Sequence, residues 1–258
     1  MDSIDNERFE VLDCLISRTN MSHALQRVLG GIANRQGGYV CFSNVHTVVT
    51  ARKDLRLREI TNNSFLSVPD GKPLSIVGKW RGIAGVGRVA GPDFMPYFIQ
   101  MAKGVRHFFF GSTPETLEKL VANIRRQYPE TIIVGSYSPP FGAVSDGEMG
   151  RILSIINQAR PDIVWIGLGA PKQEYWMADN WQKLRPAVLL GVGAAFDLHA
   201  GRISRAPDWM MKISAEWLYR LYKEPMRLWK RYLVTNFLFI CYLAKHVIFD
   251  GRGEGAKD

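Results

Sequence analysis

Six short apolar runs alternate with helix-forming segments along the chain, and this alternation constrains the fold more than any other feature. Because strands that alternate with helices form right-handed βαβ units, it predicts an α/β fold with a mostly parallel, Rossmann-like sheet layered with helices. Ligands bind beyond the carboxyl ends of the strands in such sheets, so the residues after each run are candidates for function. The predicted strands are 39–43, 65–68, 106–110, 131–135, 162–167 and 187–192.

The segments between these runs carry helix signals. Ser22 is placed to cap the first helix. Thr113 is placed to cap another, with Pro114 in its first turn and Glu115 beside it. The predicted helices are 22–36, 91–104, 113–129, 145–161 and 171–185.

The composition changes after about residue 200, where strand signals stop. Between Lys212 and Arg231 there are six basic and two acidic residues, interleaved with Trp and Tyr, and Pro225 divides the segment into two predicted helices. This composition is typical of amphipathic helices that lie at a membrane surface. We therefore expect an α/β core over residues 1–200, a membrane-associating helical appendage over 201–249 and a disordered tail over 250–258.

The overall charge and cysteine content narrow the class of protein. The net charge of +9 and the pI near 9.6 favour an anionic partner, which could be a nucleic acid, an anionic lipid or a phosphorylated substrate. Nucleic acid is not expected, because the basic residues lie beside Trp and Leu in a helical segment rather than in a nucleic-acid motif. Three widely separated cysteines fit a reducing cytoplasm. The acidic N-terminus lacks the apolar region of a signal peptide, and Tyr232 to Phe249 is too short and too polar to span a membrane.

Polar side chains follow two neighbouring predicted strands. Asp70, in "SVPDGKPLS", fits a turn, and it also fits a general base at the carboxyl end of a strand; its spacing alone favours the turn. Asn44, His46 and Thr47 follow the strand 39–43. They can cap a helix or line the same cleft as Asp70, because neighbouring parallel strands end at the same edge.

The stretch "GLGAPKQEYWM" follows a buried strand and contains Lys172 and Gln173 at the start of a helix. It is either a structural turn or a ligand site, since a glycine-rich turn before a helix N-terminus suits an anion. "FGSTPE" allows the same two interpretations, and a capped helix is favoured there. A dinucleotide site is rejected, because Lys172 replaces the third small residue and "GVGRVA" follows a helix-like segment.

No DxD sequence and no metal-ligand spacing of His and Cys occurs, so no metal is predicted. A substrate diphosphate would then need arginine or lysine to neutralise it. Arg220, Arg227 and Arg231 lie seven and four residues apart, which brings them near one face of a continuous helix. The alternative for these arginines is a solvated or lipid-facing basic surface.

Eight motifs occur in a characteristic order: "SNVHTVVTARKD", "VPDGKPL", "GRVAGPDF", "FFFGSTPE", "YPETIIVGSYSPPF", "PDIVWIGLGAPKQEYWM", "GVGAAFDLHAGRISRAPDWM" and "EWLYRLYKEPMRLWKRYL". Over about residues 8–235 the chain resembles the WecG/TagA/CpsF family of bacterial glycosyltransferases (glycosyltransferase family 26). The resemblance implies an inverting transferase that uses no metal or other cofactor. It implies transfer from a UDP-sugar to a polyprenyl-diphosphate-linked sugar at the inner face of the bacterial membrane, in exopolysaccharide, capsule or cell-wall polymer synthesis.

The resemblance also implies roles for particular residues. Asp70 would be the general base that deprotonates the acceptor hydroxyl, and Asn44 would shape its pocket with Thr47 nearby. Arg88 and Gln173 would contact the donor or position the catalytic groups, with Lys172 beside them. The appendage would bind the membrane and complete the active site by bringing three arginines over the donor diphosphate, Arg220, Arg227 and Arg231.

Two departures from the family pattern leave the donor sugar open. Phe42 stands where some members have an active-site Thr, and Pro139–Phe141 read "PPF" where others have "GYF". The donor is therefore expected to be N-acetylmannosamine-like, glucose or another hexose. The alternatives are a nucleotide-dependent oxidoreductase and a non-enzymatic membrane-binding module. Off the membrane, the apolar C-terminal helix could instead be buried against a second copy in a homo-oligomer.

Overall fold

A computed structural model describes residues 7–142, 144–207, 209–210 and 216–250. The strands are β1 (Arg8–Val11), β2 (Cys14–Ser17), β3 (Gly38–Ser43), β4 (Leu66–Pro69), β5 (Arg106–Gly111), β6 (Ile132–Tyr137), β7 (Ile163–Gly167) and β8 (Val188–Gly191). The helices are α1 (Met21–Ala33), α2 (Val45–Ala51), α3 (Leu55–Asn63), α4 (Lys72–Trp80), α5 (Gly91–Met101), α6 (Pro114–Gln127), α7 (Asp146–Ala159), α8 (Lys172–Asn180), α9 (Ala195–His199), α10 (Glu216–Lys223) and α11 (Pro225–Asp250).

The central sheet has six strands in the order β4-β3-β8-β7-β5-β6, and every neighbouring pair is parallel. This confirms the predicted fold class, and each of the six predicted runs corresponds to one strand. The antiparallel hairpin of β1 and β2 was not predicted. Its turn is formed by Leu12 and Asp13 at positive φ, which carries no glycine or asparagine signal in the sequence.

Helices cover both faces of this sheet. Side chains alternate along each strand, so Phe109 and Trp165 face one layer while Phe108 and Val164 face the other. Residues of α1, α5, α6 and α9 pack on the first face, and residues of α3, α7 and α8 pack on the second. Burial on both faces explains why the strands read as continuous apolar runs.

Two helix starts refine the predictions. Asn20, rather than Ser22, caps α1, because its Oδ1 accepts a hydrogen bond of 3.1 Å from the His23 amide. Thr113 caps α6 as predicted, through a 3.3 Å hydrogen bond from the Thr116 amide to its hydroxyl. The segment 171–185 forms α8 followed by a 3-10 helix over Trp181–Leu184.

The C-terminal helices break at Pro225, as predicted. Helix α11 packs along α2, where Phe239 is buried in a third apolar cluster and the Arg52 guanidinium lies 4.6 Å from the centre of the Tyr242 ring. Its opposite side exposes Leu233, Val234, Phe237 and Ile240 to solvent. None of the helices within the described residues is long and apolar enough to cross a membrane. The predicted disordered tail lies outside the described residues, apart from Asp250 at the end of α11.

Candidate active site

Asp70 and Asn44 stand side by side at the carboxyl edge of the sheet. Ser43 and Pro69 are partners in the parallel pairing of β3 and β4, so the residues that follow them are neighbours. The Asp70 amide donates to the Ser43 carbonyl at 2.7 Å, and Asn44 Nδ2 donates to Asp70 Oδ2 at 3.4 Å. Asp70 is half-buried, and it precedes Gly71, whose φ of +116° lets the chain turn into α4. The structure thus brings the predicted base and its predicted neighbour together.

The other end of the Asn44 amide caps helix α2. Its Oδ1 accepts from the Thr47 amide at 3.2 Å and from the Thr47 hydroxyl at 3.3 Å. With the oxygen engaged in this way, the Asn44 nitrogen is directed towards Asp70. Thr47 is only 2% exposed, so Asn44 is held in place by a buried residue. The capping interpretation of Asn44 is therefore confirmed, and its role in the site is compatible with the cap and stays a prediction.

Arg88 lies beside the end of β4. The Val89 amide donates to the Pro69 carbonyl at 2.9 Å. Arg88 precedes Val89 and Asp70 follows Pro69, so both residues lie at the same edge of the sheet. Arg88 Nη1 donates to Asp93 Oδ2 at 2.6 Å, and Arg205 forms an ion pair with the other oxygen of Asp93. Sequence reasoning missed Asp93 and Arg205. Both lie within motifs of the family resemblance, and Asp93 is also the acidic residue in the first turn of α5, but neither signal marks the pairing between them.

Gln173 is 4% exposed and joins the turn after β7 to the end of β8. Its Nε2 donates to the Gly191 carbonyl at 2.7 Å and to Glu174 Oε1 at 3.1 Å, while its Oε1 accepts from the Gly169 amide at 3.2 Å. Both ends of the amide are thus used within the protein. These contacts favour a positioning role, and a direct contact with a donor stays a prediction. Lys172, by contrast, is exposed.

The turn between β7 and α8 presents bare backbone to an open space. Gly169 has a φ of +78°, and a Cβ built on it would meet nothing within 4 Å. Gly167 has the opposite surroundings, since a Cβ there would lie 2.4 Å from the Phe196 ring. One glycine is thus required by packing and the other by backbone conformation. Gly169 thus leaves backbone without a side chain at the carboxyl end of β7, which β8 separates from β3 and Asn44, and such bare backbone suits close approach of a ligand.

The "FGSTPE" motif is a capped helix. Arg202 Nη1 donates to the Thr113 hydroxyl at 3.2 Å and to the Thr116 hydroxyl at 2.6 Å. A guanidinium therefore already covers the start of α6, where the alternative interpretation placed a phosphate. Helix α9, which follows β8, carries a further half-buried carboxylate at this edge, Asp197, which the sequence reasoning also missed.

Phe42 and Pro139–Phe141, which depart from the family pattern, lie in two different parts of the structure. Phe42 packs in the core, with its ring centre 5.7 Å from that of Phe94. Pro139–Phe141 follow β6 at the far side of the sheet, five strand spacings or about 24 Å from the end of β4. Phe141 is 89% exposed there. A sugar held at Asp70 would lie away from Phe141.

Arg220, Arg227 and Arg231 lie in α10 and α11, but their side chains are outside the described residues. Helix α10 is joined to the segment before it by the hydroxyls of Ser204 and Tyr219, which are 2.8 Å apart. Within the described part of the chain, no three side chains of His, Cys, Asp and Glu are grouped as a metal site would require.

Known proteins resemble this chain over most of its length. The profile of the Glycosyl transferase WecG/TagA/CpsF family matches residues 9–252. A curated relative from Bacillus subtilis (strain 168), the N-acetylglucosaminyldiphosphoundecaprenol N-acetyl-beta-D-mannosaminyltransferase, is 32% identical over 205 residues, which cover 78% of this chain and 77% of the relative. A relative of the same name from Bacillus spizizenii is 29% identical over 200 residues, which cover 77% and 76%. The chain therefore belongs to the WecG/TagA/CpsF family of glycosyl transferases, which confirms the prediction of a transferase over an oxidoreductase or a membrane module without activity.

Proposed function

We propose that this protein is an inverting hexosyltransferase that moves a hexose or N-acetylhexosamine from a UDP-sugar to a polyprenyl-diphosphate-linked sugar. The observation that carries the proposal is the half-buried Asp70 carboxylate, oriented by Asn44 at the sheet edge where α/β enzymes bind ligands. The names of the two Bacillus relatives support an acceptor of the polyprenyl-diphosphate class and an N-acetylmannosamine donor.

In this mechanism Asp70 takes the proton from an acceptor hydroxyl. The freed oxygen forms a bond to C1 of the donor sugar from the face opposite UDP. The bond from C1 to the diphosphate oxygen breaks, its electron pair leaves with UDP, and the configuration at C1 inverts. Negative charge grows on the leaving diphosphate, where Arg88, Lys172 and the arginines of α10 and α11 would stabilise it in place of a metal.

The appendage over residues 201–249 would bring this chemistry to the inner, cytoplasmic face of the bacterial plasma membrane, where a polyprenyl-linked acceptor is anchored. The outward row of apolar side chains on α11 supports this arrangement, as does the basic composition of the segment. Helix α11 would lie on the bilayer with one side while Phe239 on the other side remains in the core. The product would serve exopolysaccharide, capsule or cell-wall polymer synthesis.

Calorimetric binding of UDP in EDTA, with NAD as the control, tests the donor site. We expect UDP to bind and NAD not to bind. A screen of UDP-sugars with a polyprenyl-diphosphate-linked acceptor then tests the reaction, with release of UDP as the readout. Binding of NAD, a requirement for added metal, or no turnover with any UDP-sugar would contradict the proposal.

A further inference from the structure

The segment from Gly201 to Pro207, here called the crossing segment, runs over the carboxyl edge of the sheet before the C-terminal helices begin. Arg202 contacts the start of α6 through two threonine hydroxyls, and Arg205 pairs with Asp93 in the first turn of α5. Ala206 is buried beside them. The crossing segment is thus fastened to two core helices at the edge that holds Asp70.

Asp93 pairs with one arginine of the core and with one arginine of the crossing segment. One carboxylate oxygen accepts from Arg88, which belongs to the loop beside Asp70, and the other pairs with Arg205 of the crossing segment. Two guanidinium groups that pair with one carboxylate would repel each other without it. The Arg88 loop is itself held by hydrogen bonds from the Gly87 amide to the Thr19 carbonyl and from the Val89 amide to the Pro69 carbonyl, both 2.9 Å.

We propose that Asp93 is a positioning residue with two effects. It holds Arg88 at the carboxyl edge of the sheet, and it fixes the position of the crossing segment, and through it of α10, at the same edge. The link to α10 is short, because Ser204 precedes Arg205 and its hydroxyl lies 2.8 Å from that of Tyr219. One carboxylate therefore connects the core half of the site to the half contributed by the appendage. The effect of Asp93 on catalysis rests on the proposed function, whereas its effect on the attachment of the crossing segment does not.

We expect the protein to fold without this carboxylate. Asp93 lies at the partly exposed start of α5, while Phe94 and Phe98 of the same helix are buried in the core. Partly exposed ion pairs contribute little to stability, so an Asp93→Asn variant should fold. Because this variant should fold, a change in the motion of its crossing segment can be distinguished from unfolding of the protein.

Hydrogen–deuterium exchange of the full chain tests the structural part without any substrate. The informative amides are those of Arg202 and Ile203, which donate to the Asp197 carbonyl at 2.9 and 3.3 Å. We expect exchange there to accelerate in Asp93→Asn and in Arg205→Gln, with the double variant no faster than either single variant. Asp179→Asn is the matched control, because it breaks an exposed ion pair between Asp179 of α8 and Arg56 of α3, and exchange at Arg202 and Ile203 should stay as in the wild type. Unchanged exchange in Asp93→Asn, or additive effects in the double variant, would overturn the proposal.

Steady-state kinetics test the catalytic part. For Asp93→Asn we expect kcat/KM for the UDP-sugar to fall by about tenfold to hundredfold, because a displaced substrate-positioning group loses effect steeply with distance. Asp93→Glu should recover part of the loss, and Asp179→Asn should match the wild type. Faster exchange with wild-type kinetics would show that Asp93 fastens the segment without positioning the site. If the wild type turns over no UDP-sugar, the proposed function fails, while the exchange experiment still decides the fastening.

Discussion

Asn44 uses its two amide atoms for two tasks: its oxygen caps helix α2 through Thr47, and its nitrogen donates to the Asp70 carboxylate at 3.4 Å. Because the cap fixes which atom faces the cleft, the orientation of the amide follows from the local fold. The same residue thereby ties the start of a helix to the proposed general base.

Exchange of Asn44 for serine should separate these tasks. Serine is an equally good cap, so the free energy of unfolding of Asn44→Ser should stay close to that of the wild type, while Asn44→Ala should lose about 1 kcal/mol. Both variants lose the donor to Asp70, so turnover should fall in both. Denaturant unfolding and UDP release measure the two effects. Full activity in Asn44→Ser would show that the contact with Asp70 has no catalytic role.

Asp70 should be the carboxylate on which proton transfer depends. We expect Asp70→Asn to lower kcat by about 10²–10⁴-fold, the usual contribution of a general base, with little change in UDP affinity. Asp197→Asn, which alters another carboxylate at the same edge, is the comparison and should retain more turnover. Rapid-quench turnover and calorimetry give the two readouts. A larger loss from Asp197 than from Asp70 would reassign the base.

Gln173 should be needed for stability as well as for activity. Its amide makes three internal hydrogen bonds in a buried site, so Gln173→Ala should lower the free energy of unfolding by about 1–3 kcal/mol. Lys172→Ala is the matched control at the neighbouring exposed position, and it should stay within about 0.5 kcal/mol of the wild type. Thermal and denaturant unfolding measure both. Unaltered stability in Gln173→Ala would favour the donor contact that the family resemblance implies.

His107 should make the protein less stable in acid. Burial lowers the pKa of His107 to about 4 from 6.5, and protonation of Nδ1 would also oppose the Trp165 Nε1 donor 3.0 Å away. The unfolded chain thus binds more protons between these values, so the His107 contribution to stability falls as pH drops from 6.5 towards 4. The loss is about 3 kcal/mol across that window. In His107→Gln, which keeps an acceptor for Trp165, the pH slope of the unfolding free energy should be shallower; an identical slope would contradict this.

The outward side of α11 should bind membrane. Leu233→Gln combined with Phe237→Gln changes only exposed positions, so stability should be unaffected while sedimentation with vesicles of anionic lipid decreases. Cys241→Ser, at another exposed position of α11, is the control. Truncation from about residue 200 should abolish both membrane association and activity. Full activity in a truncated core would show that the appendage arginines are not needed.

Most of the fold could be predicted from the pattern of strands and helices. Each parallel strand is buried on both faces, so its residues are apolar and form a recognisable run in the sequence. The predicted runs 65–68 and 131–135 are shifted by only one or two residues from β4 and β6. The hairpin of β1 and β2 escaped prediction, because its turn places Leu12 at positive φ and Asp13 is not followed by the glycine that usually marks such turns.

The parallel α/β architecture, the break at Pro225 and the positions of Asp70 and Asn44 at strand ends could be predicted from residue order, because each depends on local pattern and strand periodicity. The inward orientation of Gln173 and the pairing of Asp93 with two arginines became visible only in three dimensions. Those contacts join residues far apart in the chain, and a carboxylate or amide carries no local mark of its partner. Their roles follow from three-dimensional proximity, which residue order alone does not specify.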